Sequence, residues 1–338
     1  MRKIRIAQIG MNKNSHGPQI FETICELSDI FEVVGYALVE DERENCADRL
    51  YVFDGYPELT LDEILNDATI EAVTVETDEI HLTKYATLAA QHGKHIHMEK
   101  PGSQSLADFE ALIEAAKASG KVFHTGYMYR YNPYIKEILE KVRSGRLGEI
   151  YSIEAQMNCI HKPEKRKWMS TFKGGMMFHL GCHLIDLILQ IQGTPSKIIP
   201  MNRSTGIDGV EAEDFGMAIF EYPNGVSFAK TTCVEFGGYM RRQFVVAGSL
   251  GTVELKPFEY SNRGDAKSHV RTDKFEYDRN AWPWGTRPGF ETSGSFNRYG
   301  DMLLSFGEMV RGEKENPYTC DYELELFKTI LICCGVEI

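Results

Sequence analysis

Residues 3–39 read KIRIAQIGMNKNSHGPQIFETICELSDIFEVVGYALV, and the order of patterns in them decides the architecture. A β-branched run at 3–9 meets a glycine turn, a helical pattern opens at Pro18, and a second β-branched run fills 31–39. The rhythm continues with IEAVTVET (70–77), KHIHME (94–99) and KVFHTGY (121–127) as strands. Between them TLDEILND, IHLTKYATLAAQHG and SLADFEALIEAAKASG read as helices. Thr60 is placed to cap the first of these, and Gly93 and Gly120 stop the other two, as glycine does at helix C-termini. Strand–helix alternation predicts a parallel sheet with helices on both faces. The expected unit is an α/β, doubly wound, Rossmann-type dinucleotide-binding domain over residues 1–126.

From 127 the rhythm changes, and residues 127–338 are expected to form a second, α+β domain. A helix over 132–148 leads to the strand EIYSIEAQMN, and GGMMFHLGCHLIDLILQIQG (174–193) forms another helix. Six strand-like runs then follow one another from about 197 to 276, separated by turn residues and without helices, which predicts a large open, mostly antiparallel sheet. WPWGTRPGFETSGSFNRYG (282–300) reads as a loop, and helices near 297–312 and 320–334 close the chain.

With 338 residues, two domains are the default. A formal net charge of −12 argues against nucleic acid or an anionic membrane as partner. No apolar span of 18 residues occurs, and the N-terminal apolar run is too short for a signal peptide. The eight cysteines are scattered, none in CxxC spacing, so reduced thiols in a cytoplasmic protein are expected.

A doubly wound sheet binds its ligand at the turn after the first strand, here IGMNKNSHGPQ. Gly10 stands where a tight-turn glycine belongs. The dinucleotide fingerprint wants glycine next at 12 and a small residue at 15, where the chain has Asn12 and Ser15. Asn tolerates a left-handed backbone and Ser is small, so the fingerprint is degraded but present. Glu40, just past the second strand, is the candidate for the adenosine ribose. No arginine follows it directly, which leans to NAD over NADP, while Arg43 keeps NADP open.

Five further segments carry a resemblance. AAQHGKHIHMEKP (89–101), GYMYRYNP (126–133), SGRLGEIYSIEAQ (144–156), GGMMFHLGCHLID (174–186) and YELELFKTILICCGVEI (322–338) occur in the order of the Gfo/Idh/MocA family and span nearly the whole chain. That family consists of nicotinamide-dependent oxidoreductases acting mainly on sugars and polyols, and is similar in its two-domain fold. The resemblance implies NAD or NADP as cofactor, a small sugar or polyol substrate and a homodimer or homotetramer. It sets Lys100 of the EKP motif and His183 of the helix at the reacting hydroxyl. It also sets Thr77, Glu79, His81 and Glu99 on the cofactor, although the family's usual Thr-Pro-Asn is Thr77-Asp78-Glu79 here. Asp186 matches a position used for substrate hydroxyls or for fixing the histidine. Tyr129 and Arg130, with His161 and Trp168 in a loop before the helix, are candidates for substrate contact. Oxidising an alcohol needs a base for the proton, a part suited to neutral His183, and a charge for the developing alkoxide, suited to Lys100.

His179 stands where the family usually has aspartate. With His183 and Asp186 it falls at helical spacing, so a metal pair, a hydrogen-bonded core histidine and an active-site histidine all stay open. The expectation taken forward is catalytic: His179 shares the proton work with His183, and no metal is held. Two other functions also remain: an NAD-dependent glycosidase or lyase working by transient oxidation, and a non-catalytic sugar- or nucleotide-sensing protein.

Overall fold

The computed structural model describes residues 2–266, 268–278 and 284–338. The chain divides into two compact units, Met1–Met128 with Tyr299–Phe327, and Tyr129–Arg298 with Lys328–Ile338.

In the first unit, strands β1 (Ile4–Ile9), β2 (Phe31–Ala37), β3 (Ala72–Val75), β4 (His95–Met98) and β5 (Phe123–Thr125) form a parallel sheet in the order β2-β1-β3-β4-β5. β1 and β3 are buried on both faces, with only Arg5 among their residues partly exposed. Helices α1 (Gly17–Glu26), α2 (Glu42–Asn45), α3 (Leu61–Asn66), α4 (Glu79–Gln91) and α5 (Leu106–Ser119) lie between the strands. Thr60 does cap α3, in a reciprocal box: its hydroxyl accepts the Glu63 N–H and its own N–H reaches the Glu63 carboxylate. α5 ends on left-handed Gly120.

One polar row crosses this sheet in register. Gln8 pairs with Thr74, Thr74 with His97 and His97 with His124, all four buried. His97 and His124 meet through their Nδ1 atoms at 2.7 Å. Phe306 of α9 (Gly300–Val310) packs against both rings, stacked on His124. Glu323 accepts a bond from the Thr125 hydroxyl at 2.8 Å. These contacts draw Tyr299–Phe327 into the first unit, whereas a division at 126 had assigned them to the second domain. No local pattern announces that return.

The second unit is built on an eight-stranded sheet in the order β14-β13-β11-β10-β6-β9-β8-β7. Its strands are β6 (Ile150–Asn158), β7 (Lys197–Pro200), β8 (Phe215–Tyr222), β9 (Gly225–Thr232), β10 (Gln243–Gly248), β11 (Gly251–Leu255), β13 (Asp273–Asp278) and β14 (Gly289–Thr292). All neighbours run antiparallel except β6 and β9, which are parallel. Strict alternation in β10 buries Phe244 and Val246 on one face. A small ladder of β12 (His269–Val270) and β15 (Phe296–Asn297) stands apart.

The run expected as a loop after 282 thus contains strand residues, since β14 completes the edge beside β13; Trp282 and Pro283 lie outside the described residues. The helices are α6 (Pro133–Arg143), α7 (Pro163–Met169), α8 (Cys182–Gln192) and the final α10 (Cys320–Cys333). Short 3₁₀ turns at Ile207–Gly209 and Gly238–Arg241 interrupt the run expected to lack helices. All eight cysteines are free thiols. Among the described residues no helix is long and apolar enough to cross a membrane.

Candidate active site

In the first unit the site is assembled at the C-terminal ends of the strands. Gly10 turns with φ +86°, and a Cβ there would stand 2.7 Å from Thr77 Cβ, so only glycine lets the loop close over β3. The Ser15 hydroxyl accepts the Gly17 N–H at 3.3 Å where α1 begins. Arg49, which the sequence reading missed, donates to the carbonyls of Asn12 and Ser15 at 2.9 and 2.8 Å. Its signal is absent locally, because 34 residues separate it from Ser15. A glycine turn, a hydroxyl at the helix start and a cation holding the loop carbonyls fit a dinucleotide's diphosphate.

Asn12 departs from the fingerprint in a specific way: its Nδ2 donates to Glu79 Oε2 at 2.7 Å. Glu99 follows β4 beside Lys100, whose Nζ is 3.4 Å from Glu99 Oε1. A Cβ at Gly126 would come within 2.9 Å of Glu99 Oε2, so that glycine leaves the carboxyl its room. Burial pushes Glu99 up to about 7, and the nearby Lys100 ammonium opposes the rise. Glu76, at the end of β3, was not singled out from the sequence. It is fully buried, and burial together with the Glu99 charge pushes its carboxyl well above the ordinary range.

The ribose candidate lies in the turn after β2. Glu40, at φ +49°, bonds the Lys84 ammonium and the Tyr85 hydroxyl, each at 2.7 Å, with His81 at 3.7 Å. Those two hydrogen bonds draw its carboxyl down to about 2. His81 is therefore an α4 neighbour of Glu40 in this structure. Glu42, two residues on, is the buried carboxyl of this turn. It accepts the Val39 N–H at 2.9 Å, and burial pushes it up to about 7. Glu40, Glu42, Asn12 and Thr77 line one cavity of about 200 Å³.

In the second unit the residues of GGMMFHLGCHLID are wound in two ways. Met177–Gly181 form a π-helical turn and Cys182–Gln192 an α-helix. His179 lies within the wider π turn, and His183 and Asp186 lie on the α-helix that follows it. Each histidine has its own ring partner. Trp168 stands edge-on to His179 at 5.2 Å, and Tyr129 edge-on to His183 at 5.0 Å. Trp168 lies on helix α7 and not in a loop. His161 precedes it, 3.4 Å from Cys159 Sγ, and is held down to about 4 by burial and by the charges of Lys165 and Arg242.

Arg130 and Asp186 are joined through two hydrogen bonds of 3.0 and 2.9 Å, with side chains 0% and 1% exposed. Asp186 also accepts from Gln190 at 2.9 Å. The Tyr129 hydroxyl bonds Glu259, which Arg242 and Arg298 also contact. The metal reading of this helix loses its third ligand to Arg130. Among the described residues no group of three or more His, Cys, Asp or Glu side chains is placed to hold a metal ion.

Residues 4–127 match an oxidoreductase family with an NAD-binding Rossmann fold, and residues 135–254 match the Gfo/Idh/MocA C-terminal domain. The chain belongs to the Gfo/Idh/MocA family. Among its relatives in that family, the oxidoreductase YhhX of Escherichia coli is 27% identical over 192 residues, 57% of this chain and 54% of YhhX. The scyllo-inositol 2-dehydrogenase (NADP(+)) IolW of Bacillus subtilis is 26% identical, over 53% of this chain and 48% of its own length. The chain thus matches about half the length of each. The aldose-aldose oxidoreductase of Caulobacter crescentus, solved with glycerol, shares the fold with a TM-score of 0.77 at 20% identity, over 99% of this chain and 98% of that one.

Proposed function

We propose that this member of the family is a nicotinamide-dependent oxidoreductase. It acts on a secondary alcohol of a sugar, polyol or related small molecule, with Lys100 and His183 at the reacting hydroxyl. The observation that carries the reading is Lys100, a lysine only 5% exposed at the end of a parallel strand. Burying an ammonium is costly, so its retention with Glu99 beside it points to use in chemistry.

NAD(P), when bound, accepts the hydride. This chain's own groups do the rest. His183 takes the hydroxyl proton at a ring nitrogen as the hydride leaves carbon. Lys100 donates to the oxygen and stabilises the charge that develops on it. Tyr129 holds the His183 ring edge-on, and the Arg130–Asp186 pair fixes the helix that carries it. NAD is preferred over NADP. Glu40 and Asp41 make the turn after β2 acidic, and Arg43 is already paired with Glu58, which leaves a 2′-phosphate poorly received.

Native mass spectrometry of the purified protein should find a dinucleotide. A sugar and polyol panel read at the reduced-nicotinamide band should find a substrate turned over with free NAD. Failure to bind or turn over with either cofactor would remove the reading. The protein is also taken to be a homo-oligomer. The outer face of the large sheet carries half-buried Phe215, Met217, Ile219, Phe228 and Val245, which a second subunit would cover. A monomer mass by light scattering at micromolar concentration would exclude it.

A further inference from the structure

The loop that would receive the cofactor's diphosphate is bonded to a carboxylate of its own. Asn12 and Glu79 are 2% and 1% exposed, and the Asn12 side chain is fully committed. Its Nδ2 donates to Glu79 Oε2 at 2.7 Å and to the Thr77 carbonyl at 3.4 Å, and its Oδ1 accepts the Asn14 N–H at 2.7 Å. Glu79 is not alone. Its charge bears on Glu76 from the end of β3 and on Glu99 from the end of β4, where Lys100 also acts. Lys13 lines the adjoining cavity with Asp78 and His81. Neither oxygen of Glu76 finds a hydrogen-bond partner among the described residues, and the His97 ring that faces it, Nε2 4.0 Å from Oε1, is held down to about 3 by burial and so brings no charge. A fully buried carboxylate without donors is untenable, so a proton belongs to this cluster.

A diphosphate drawn to the start of α1 carries two more negative charges into the same space. It repels the ionised form of each carboxyl and leaves the protonated form untouched. We propose that the Glu76–Glu79–Glu99 cluster, tied to the loop by Asn12, couples dinucleotide binding to proton uptake, with Glu79 the residue that sets affinity. The inference rests on the dinucleotide reading above and adds a property to it. Raised proton affinity at Glu76 and Glu99 agrees with it. The sign follows from linkage: the bound state holds more protons than the free state, so affinity rises as pH falls.

The test is the dissociation constant of the intact protein for NADH and for ADP-ribose, from about pH 6 to about pH 9, by calorimetry in two buffers of different ionisation enthalpy. Both probes keep a doubly charged diphosphate throughout, and ADP-ribose lacks the nicotinamide, so an equal slope for the two assigns the effect to the phosphate end. Kd should weaken by up to about tenfold per pH unit for each proton taken up, and the apparent enthalpy should depend on the buffer. Glu79→Gln keeps the acceptor for Asn12 and removes the charge. It should tighten binding about tenfold at the alkaline end and flatten the profile. Glu79→Asn, the residue of the family's usual Thr-Pro-Asn, gives a second variant, and an unchanged thermal transition shows that each is folded. Binding that is independent of pH and buffer, with Kd unchanged in both variants, overturns this inference and leaves the dinucleotide reading standing. No binding of either probe at any pH overturns both.

Discussion

The strand ends of the first unit and the histidine helix of the second both bury charge, and they treat it in opposite ways. Asp186 accepts two hydrogen bonds from Arg130 as well as one from Gln190, and the charges of the pair cancel. Glu76 has no hydrogen-bond partner among the described residues, and around it the acids Glu79 and Glu99 stand with Lys100 and the neutral ring of His97. A satisfied buried pair acts as a rivet, because losing either half strands the other. A crowd of carboxyls is adjustable, because each can give up its charge by taking a proton. The first arrangement fixes the helix that carries His183. The second suits a surface that must receive a charged ligand.

The comparison breaks most sharply on stability. Arg130→Met should destabilise by about 3–5 kcal/mol, since it leaves Asp186 ionised and buried. Glu76→Gln, which imitates a protonated acid, should cost far less. Equal losses in thermal or denaturant melts would show that the two regions are not different in kind.

Next in size are the chemical groups. Lys100→Met and His183→Ala should each lower kcat by about 10²-fold or more, with KM less affected and the fold intact. Near-wild-type kcat in His183→Ala, on any confirmed substrate, removes it from the mechanism.

A pH titration of stability sharpens the contrast further. Glu99 and Glu42 bind protons up to about 7 in the folded state, above the ordinary carboxyl value of 4.5. The native state then holds protons that the unfolded chain has released. Stability should therefore fall as pH rises from about 5 to about 7, by up to about 1.4 kcal/mol per pH unit for each such group. Glu76→Gln should shallow the fall if the cluster titrates as one, whereas an identical profile in wild type and variant would detach Glu76 from it.

The smallest expected effect lies at the π turn. His179→Asp should retain activity but shift the acid limb of the pH–rate profile, because a carboxylate raises the proton affinity of a nearby histidine. An unshifted limb would leave His179 as a packing partner of Trp168.

Local pattern carried much of the fold. Thr60 with Glu63 three residues on is a capping signature, and the structure contains that box. Gly120 ends its helix in the left-handed conformation that favours glycine. The parallel strands were readable because apolar and β-branched residues dominate their runs, although a polar row of Gln8, Thr74, His97 and His124 crosses them. The π turn was not readable, since HLGCH has the composition of any buried helix. Trp168 was expected in a loop before the histidine helix, yet Arg166 and Met169 are buried there and anchor a short helix.

At the candidate site the sequence marked positions, and the folded chain decided their surroundings. EKP and the histidine helix singled out Lys100 and His183 because motif spacing is written locally. Glu42, Arg49 and Glu76 carry no local mark. Each matters through a group 34 or more positions away or through burial, and burial is a property of the assembled sheet. Glu40 and Glu42 stand two residues apart in one acidic turn. The first bonds Lys84 and Tyr85 and drops to about 2, while the second is enclosed and rises to about 7. Sequence by itself determined that carboxyls would crowd this end of the sheet. Only tertiary structure decided which of them hold charge, because the cost of an ionised group depends on the water and the partners left to it after packing.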